Sequence, residues 1–97
     1  MGDFIIYTKK SCQYCNDLKE LLLNKNKIFQ EIDIYEINSL QTIPFEYHDK
    51  NSFFKKLNEL LSREWKTFPI VFKDNKFIGG YIETTQFIQK EEAFQFL

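Results

Sequence analysis

Phe4-Ile5-Ile6-Tyr7-Thr8-Lys9-Lys10-Ser11-Cys12-Gln13-Tyr14-Cys15 is the stretch whose reading decides the fold. Phe4 to Tyr7 is an apolar run of β-formers, long enough for one fully buried strand. Thr8 to Ser11 is polar and predicts a loop. From Gln13 the period changes. Leu18, Leu21 and Leu22 recur at i, i+3 and i+4 with Asp17, Lys19 and Glu20 between them, which predicts an amphipathic helix. Its end falls in the polar Asn24-Lys25-Asn26-Lys27. Ile28-Phe29 and the alternating Ile32 and Ile34 then predict a second strand. Strand, helix and strand so closely spaced form a βαβ unit, so the two strands should be parallel.

Beyond this unit the signals alternate in clarity. Residues 36–50 show no period and predict a long ordered loop, a partner-docking segment or a benign insertion. Phe53, Phe54, Leu57, Leu60 and Leu61 predict a second amphipathic helix with Asn51 or Ser52 as N-cap. Pro69-Ile70-Val71-Phe72 and Lys76-Phe77-Ile78 flank Asp74-Asn75, a hairpin pattern. Gly79-Gly80 is the glycine pair of the chain, and Glu83 to Leu97 predicts a final helix with Phe87, Ile88 and Phe94 on one face. The order β-α-β-α-β-β-α predicts an α/β fold: a four-stranded mixed sheet flanked by three helices.

Composition narrows the function. The 97 residues predict a single domain over 1–97, and 43% hydrophobic with 18% aromatic content can form one small core. Thirteen Lys and Arg against fourteen Asp and Glu give a net charge of −1, which points neither to nucleic acid nor to an anionic membrane. The apolar run at the N-terminus is too short for a signal peptide or a membrane span. Gly2 suggests myristoylation, but Ile6 stands where that motif wants Ser or Thr. Two cysteines are too few for a secreted disulfide scaffold, and the expected compartment is a reducing cytoplasm.

The cysteines are better explained by chemistry. The first N–H groups of a helix lack partners and carry about half a positive charge. A sulfur placed there is stabilised as thiolate, which lowers its pKa below the free value of about 8.5. Cys12 falls at the loop-to-helix junction, and Lys9 and Lys10 add a cationic field. Cys15 lies one helical turn on, nearer the core. The spacing suits attack by an exposed Cys12 and displacement by Cys15. Structural zinc takes four ligands, and the chain adds only His48 to the two cysteines. Two inert buried cysteines are the plainer alternative. Tyr14 could equally be core edge, the aromatic surplus packing, His48 solvated, and the charges of the last helix a solvated face.

Tyr7-Thr8-Lys9-Lys10-Ser11-Cys12-Gln13-Tyr14-Cys15 resembles the glutaredoxin active-site segment Y-T-K-x-x-C-P-Y-C. Thr67-Phe68-Pro69 is similar to the family's T-V-P, and Lys76-Phe77-Ile78-Gly79-Gly80 to the stretch ending in its Gly-Gly. The resemblance implies a thioredoxin-like fold and glutathione as partner thiol. By the same resemblance Lys9 pairs with a glutathione carboxylate, and Tyr14 lines the groove beside the nucleophile. Thr67 and Phe68 precede Pro69, cis in this family, and Phe68 presents its backbone to the cysteinyl part of glutathione. Gly80 admits the ligand closely, and the turn through Tyr81, Ile82 and Glu83 offers N–H groups to the γ-glutamyl carboxylate. Lys55 and Lys56 are candidates for the glycyl carboxylate.

The departures are informative. Gln13 replaces the usual Pro, freeing an N–H near Cys12, and members without this Pro more often hold an iron–sulfur cluster between two subunits. Ile82 cannot accept a hydrogen bond from the glutathione ammonium, and Glu83 compensates only in part, so altered recognition is expected. Trp65 before Lys66-Thr67 is similar to the single-cysteine branch of the family. The implied function is glutathione-dependent reduction of mixed disulfides and protein disulfides by a cytoplasmic monomer, with Cys12 attacking and Cys15 resolving. Partners implied are glutathione, glutathionylated or disulfide-containing proteins and a reductase such as ribonucleotide reductase. Cluster transfer, with a [2Fe–2S] held by Cys12 and glutathione in a dimer, is the alternative. A thioredoxin-type reductant is the third reading, disfavoured by Tyr14 and the lack of Trp before Cys12.

Overall fold

Successive residues of a strand face opposite sides of its sheet, and the first strand shows both sides buried. Phe4 and Ile6 join Leu18, Leu22, Val71 and Ile88 in one apolar cluster, while Ile5 and Tyr7 pack into a second with Phe53, Leu57 and Ile70. A strand covered on both faces by helices reads as a continuous apolar run. The computed structural model describes residues 4–34 and 50–94. Within them run β1 (Phe4–Thr8), α1 (Gln13–Asn24), β2 (Phe29–Asp33), α2 (Lys50–Leu61), β3 (Ile70–Lys73), β4 (Lys76–Gly79) and α3 (Tyr81–Phe94). The sheet order is β2-β1-β3-β4. β1 pairs parallel to β2 with Phe4 opposite Phe29, and antiparallel to β3 with Tyr7 opposite Ile70. α1 and α3 supply one face of the core and α2 the other.

The β3–β4 turn follows from its residues. Asp74 and Asn75 both take left-handed φ values, 53° and 65°. Two positive φ angles are what a type I′ two-residue hairpin requires, and Asn and Asp tolerate them. The far end of the sheet and the end of α1 are both tied to α3 by charge. Lys73 Nζ lies 2.8 Å from Glu91 Oε2, and Lys25 Nζ 3.0 Å from Glu92 Oε1. Among the described residues no helix is long and apolar enough to cross a membrane.

Several expectations need correction. Thr8 belongs to the strand rather than the loop, and its burial is tolerated because its hydroxyl donates to Glu31 Oε2 at 2.8 Å. α2 begins at Lys50, so Asn51 and Ser52 lie inside the helix and neither caps it. Leu60, expected in the core, is 55% exposed. α3 starts at Tyr81, two residues before the predicted Glu83. Its acidic residues are not simply solvated, since Glu91 joins Lys73 and Lys27. The expectations for His48 and for residues 36–49 fall outside the described residues.

Candidate active site

α1 starts where it does because Cys12 turns the chain out of the helix. Ser11 takes φ 58°, and Cys12 follows in an extended conformation (φ −115°, ψ 104°) that is typical of an N-cap. The capping atom is sulfur: the Cys15 N–H donates to Cys12 Sγ at 3.1 Å. The Asn16 N–H donates to the Cys12 carbonyl at 3.2 Å, the first bond of the helix. α1 carries no acidic residue in its first turn, so the positive end of its dipole faces the sulfur uncompensated. Cys12 and Cys15 are joined as a disulfide with Cα atoms 5.3 Å apart. Cys15 is 2% exposed and Cys12 9%. Cys15 is the deeper of the two, as expected, and Cys12 is more covered than the exposed nucleophile anticipated. It shares an apolar cluster with Tyr7, Phe53, Phe54 and Phe68.

The second wall is the segment before β3. The Phe68–Pro69 bond is cis, and both residues are buried while Thr67 is exposed. Phe68 stacks on Phe53 with ring centroids 6.1 Å apart and meets Phe54 edge-on at 5.1 Å. Lys9 Nζ lies 5.9 Å from the centroid of the Phe68 ring, which brings the loop before Cys12 to this wall. Lys55 and Lys56 are exposed on α2, and no contact among the described residues ties either to the cysteines.

The third wall is the turn into α3. Gly79 adopts φ 134°, a conformation L side chains rarely take, and a Cβ there would stand 2.7 Å from Cβ and Cγ of Glu83. A Cβ on Gly80 would meet Trp65 Cζ2 at 3.3 Å and the Pro69 carbonyl oxygen at 3.4 Å, so Gly80 borders the second wall directly. The Gly80 N–H donates to Glu83 Oε1 at 2.9 Å, the reciprocal half of a capping box. Tyr81 faces Tyr14 with ring centroids 5.9 Å apart, joining the α1 and α3 ends. Tyr14 and Ile82 are 61% and 63% exposed. The expected site residues thus fall on three adjoining walls, but Glu83 is engaged with Gly80 rather than held open.

Trp65, without an expected role at the site, also borders it. Its indole N–H donates to the Thr67 carbonyl at 2.9 Å, its own N–H donates to Asn58 Oδ1 at 2.8 Å, and its ring packs edge-on against Phe77 at 5.1 Å. The only available signal was its place two residues before Thr67.

Known proteins resemble the chain in sequence and in fold. The Glutaredoxin family model matches residues 4–78. The chain is 38% identical over 76 residues to "Glutaredoxin 1" of Rickettsia felis, covering 78% of this chain and 62% of that protein. It therefore spans less than two thirds of that relative's length. "Glutaredoxin 3" of Escherichia coli K12 is 35% identical over 81 residues, covering 82% of this chain and 78% of that protein. Among solved structures, glutaredoxin 1 from Francisella tularensis complexed with cacodylate superposes with a TM-score of 0.69 at 25% identity, covering 96% and 99% of the two chains. A buckwheat glutaredoxin–glutathione complex gives 0.70 at 19% identity over 97% and 74%, a likeness of fold.

Proposed function

The chain belongs to the glutaredoxin family, with its thioredoxin-like fold, and from that premise we propose that it is a glutathione-dependent thiol–disulfide oxidoreductase. The observation that carries the reading is the sulfur of Cys12 as N-cap of α1, within disulfide reach of Cys15. In the monothiol route the Cys12 thiolate attacks the glutathione sulfur of a mixed disulfide. The substrate's S–S bond breaks, its thiolate leaves and takes a proton, and glutathione stays on Cys12. The thiolate of a second glutathione attacks that glutathione sulfur, releasing the Cys12 thiolate and oxidised glutathione. In the dithiol route Cys12 attacks a protein disulfide, and Cys15 then attacks Cys12 Sγ to release the reduced protein. The Cys12–Cys15 disulfide is the product of that second step, and two glutathiones reopen it.

In this reading Lys9 pairs with a ligand carboxylate beside Phe68, and the Thr67-Phe68-Pro69 backbone receives the cysteinyl part. Gly80, Tyr81, Ile82 and Glu83 form the γ-glutamyl end, with Tyr14 closing the groove against Tyr81. Two facts support altered glutathione recognition: Ile82 offers no side-chain acceptor, and Glu83 is engaged by Gly80. The cluster-binding alternative rests on residue 13 alone. The Gln13 side chain donates to Asp17 Oδ1 at 2.8 Å, and no second observation favours that reading.

The test is reduction of a small glutathione mixed disulfide with glutathione as reductant. Cys15→Ser should keep this activity and lose reduction of a protein disulfide. Turnover independent of glutathione, or deglutathionylation lost in Cys15→Ser, would overturn the proposal.

A further inference from the structure

Resting on the glutathione reading above, the geometry points to Trp65 as the positioning residue that sets the Thr67–Phe68 peptide, and with it the Phe68 N–H, for the ligand. A trans peptide unit is planar, with its C=O and N–H pointing in opposite directions. The Thr67–Phe68 bond is trans, since the cis bond here is the next one, Phe68–Pro69. The Trp65 indole pins the Thr67 carbonyl at 2.9 Å. The Phe68 N–H is thereby turned away from the tryptophan. Phe68 is 8% exposed, and its N–H has no hydrogen-bond partner among the described residues. A main-chain donor without a partner is open to a ligand carbonyl.

The indole is itself held from several directions. Asn58 Oδ1 accepts from its main-chain N–H at 2.8 Å, which anchors it to α2. Phe77 packs edge-on, and the Arg63 guanidinium lies 5.6 Å from the ring centroids of both Trp65 and Phe77. Its Cζ2 edge stands 3.3 Å from where a Gly80 Cβ would be, so the same ring also borders the turn into α3. One side chain therefore sets the spacing between two walls of the groove while leaving the sulfurs alone. Phenylalanine at this position would keep the aromatic packing and lose the N–H.

The experiment compares wild type with Trp65→Phe in glutathione-dependent reduction of a small glutathione mixed disulfide. Alongside it, iodoacetamide alkylation of reduced Cys12 is followed across pH, together with the Thr67 carbonyl ¹³C resonance of the ligand-free protein. We expect KM for the mixed disulfide to rise about 3- to 10-fold, the scale of one net hydrogen bond. The same variant should leave kcat and the alkylation profile unchanged and move the Thr67 resonance upfield. Asn58→Ala, which loosens the Trp65 main chain and spares the indole, should raise KM by a smaller factor and serves if Trp65→Phe does not fold. An unchanged KM in a folded variant overturns the proposal, as does a matching loss in alkylation rate, which would mark a general structural role. If wild type itself shows no glutathione-dependent turnover, the functional reading fails instead. The Thr67 resonance then decides: a shift upholds the positioning role and its absence ends it.

Discussion

The two helix ends that meet at Tyr14 and Tyr81 are capped in opposite ways. At α1 the N-cap side chain of Cys12 accepts from the N–H of Cys15, three residues on. At α3 the side chain of Glu83 reaches back three residues and accepts from the N–H of Gly80. Each helix thus uses one half of the reciprocal pair that a full capping box would combine. The consequence is electrostatic. α3 begins with a carboxylate in its first turn, while α1 begins with none, so the open dipole charge at α1 falls on sulfur. A structural cap and a reactive cap are therefore distinguished by which side chain closes the first turn.

The two caps should differ most when the side chain at Cys12 is changed. If Cys12 is the nucleophile, as proposed, Cys12→Ser should lower disulfide turnover by about 10³-fold or more. Serine is itself a favoured N-cap, so the variant should melt close to the reduced wild type. Turnover surviving in Cys12→Ser would remove the assignment of the nucleophile, and a large fall in melting temperature would show that the sulfur does more than cap.

At the structural cap the largest effect lies in the residue before it. Gly79→Ala forces an L side chain to φ 134° and sets its Cβ 2.7 Å from Glu83 Cβ. Backbone strain and overlap together should cost about 2–4 kcal/mol, read from the urea midpoint. A cost below about 1 kcal/mol would mean that the turn into α3 yields easily, and that the third wall is softer than its contacts suggest.

How far these features were legible in the sequence depended on their range. β1, the Cys12–Cys15 junction and α1 carry their signals within a dozen residues, and the Asp74-Asn75 turn declares its own dihedral angles. The start of α3 was misplaced because Gly80 is a weak cap signal, although Glu83, three residues on, is the N3 residue of a capping box. Thr8 reads as loop because the partner of its buried hydroxyl, Glu31, is distant in sequence and adjacent only once β1 and β2 pair. Leu60 obeyed the helical period and still faces outward, since the apolar face of α2 is filled by Phe53, Phe54 and Leu57. The bond from Trp65 to Thr67 has no sequence signature, because it depends on how the chain leaves α2.

A smaller change tests whether the Glu83 cap is structural. Glu83→Ala should cost about 1 kcal/mol in urea unfolding, the usual value of a lost cap, and leave the alkylation rate of Cys12 unaltered. A changed alkylation rate would show that the α3 carboxylate acts on the sulfur across the groove, and that the two caps are not independent.

The smallest and sharpest change carries the feature of one helix to the other. Gln13→Glu places a carboxylate in the first turn of α1, where Glu83 already stands in α3. A negative charge there competes with the thiolate for the same helix end. A helix-end charge is worth about 0.3–1 kcal/mol, and a pKa unit about 1.36 kcal/mol, so the alkylation pKa of Cys12 should rise by roughly half a unit. Gln13→Lys should lower it by a similar amount, and high salt should shrink both shifts because position 13 is exposed. Opposite shifts would show that the open charge of α1 tunes the sulfur. Shifts of the same sign would mean that breaking the Gln13–Asp17 hydrogen bond loosens the first turn, and that the N–H of Cys15 alone holds the thiolate.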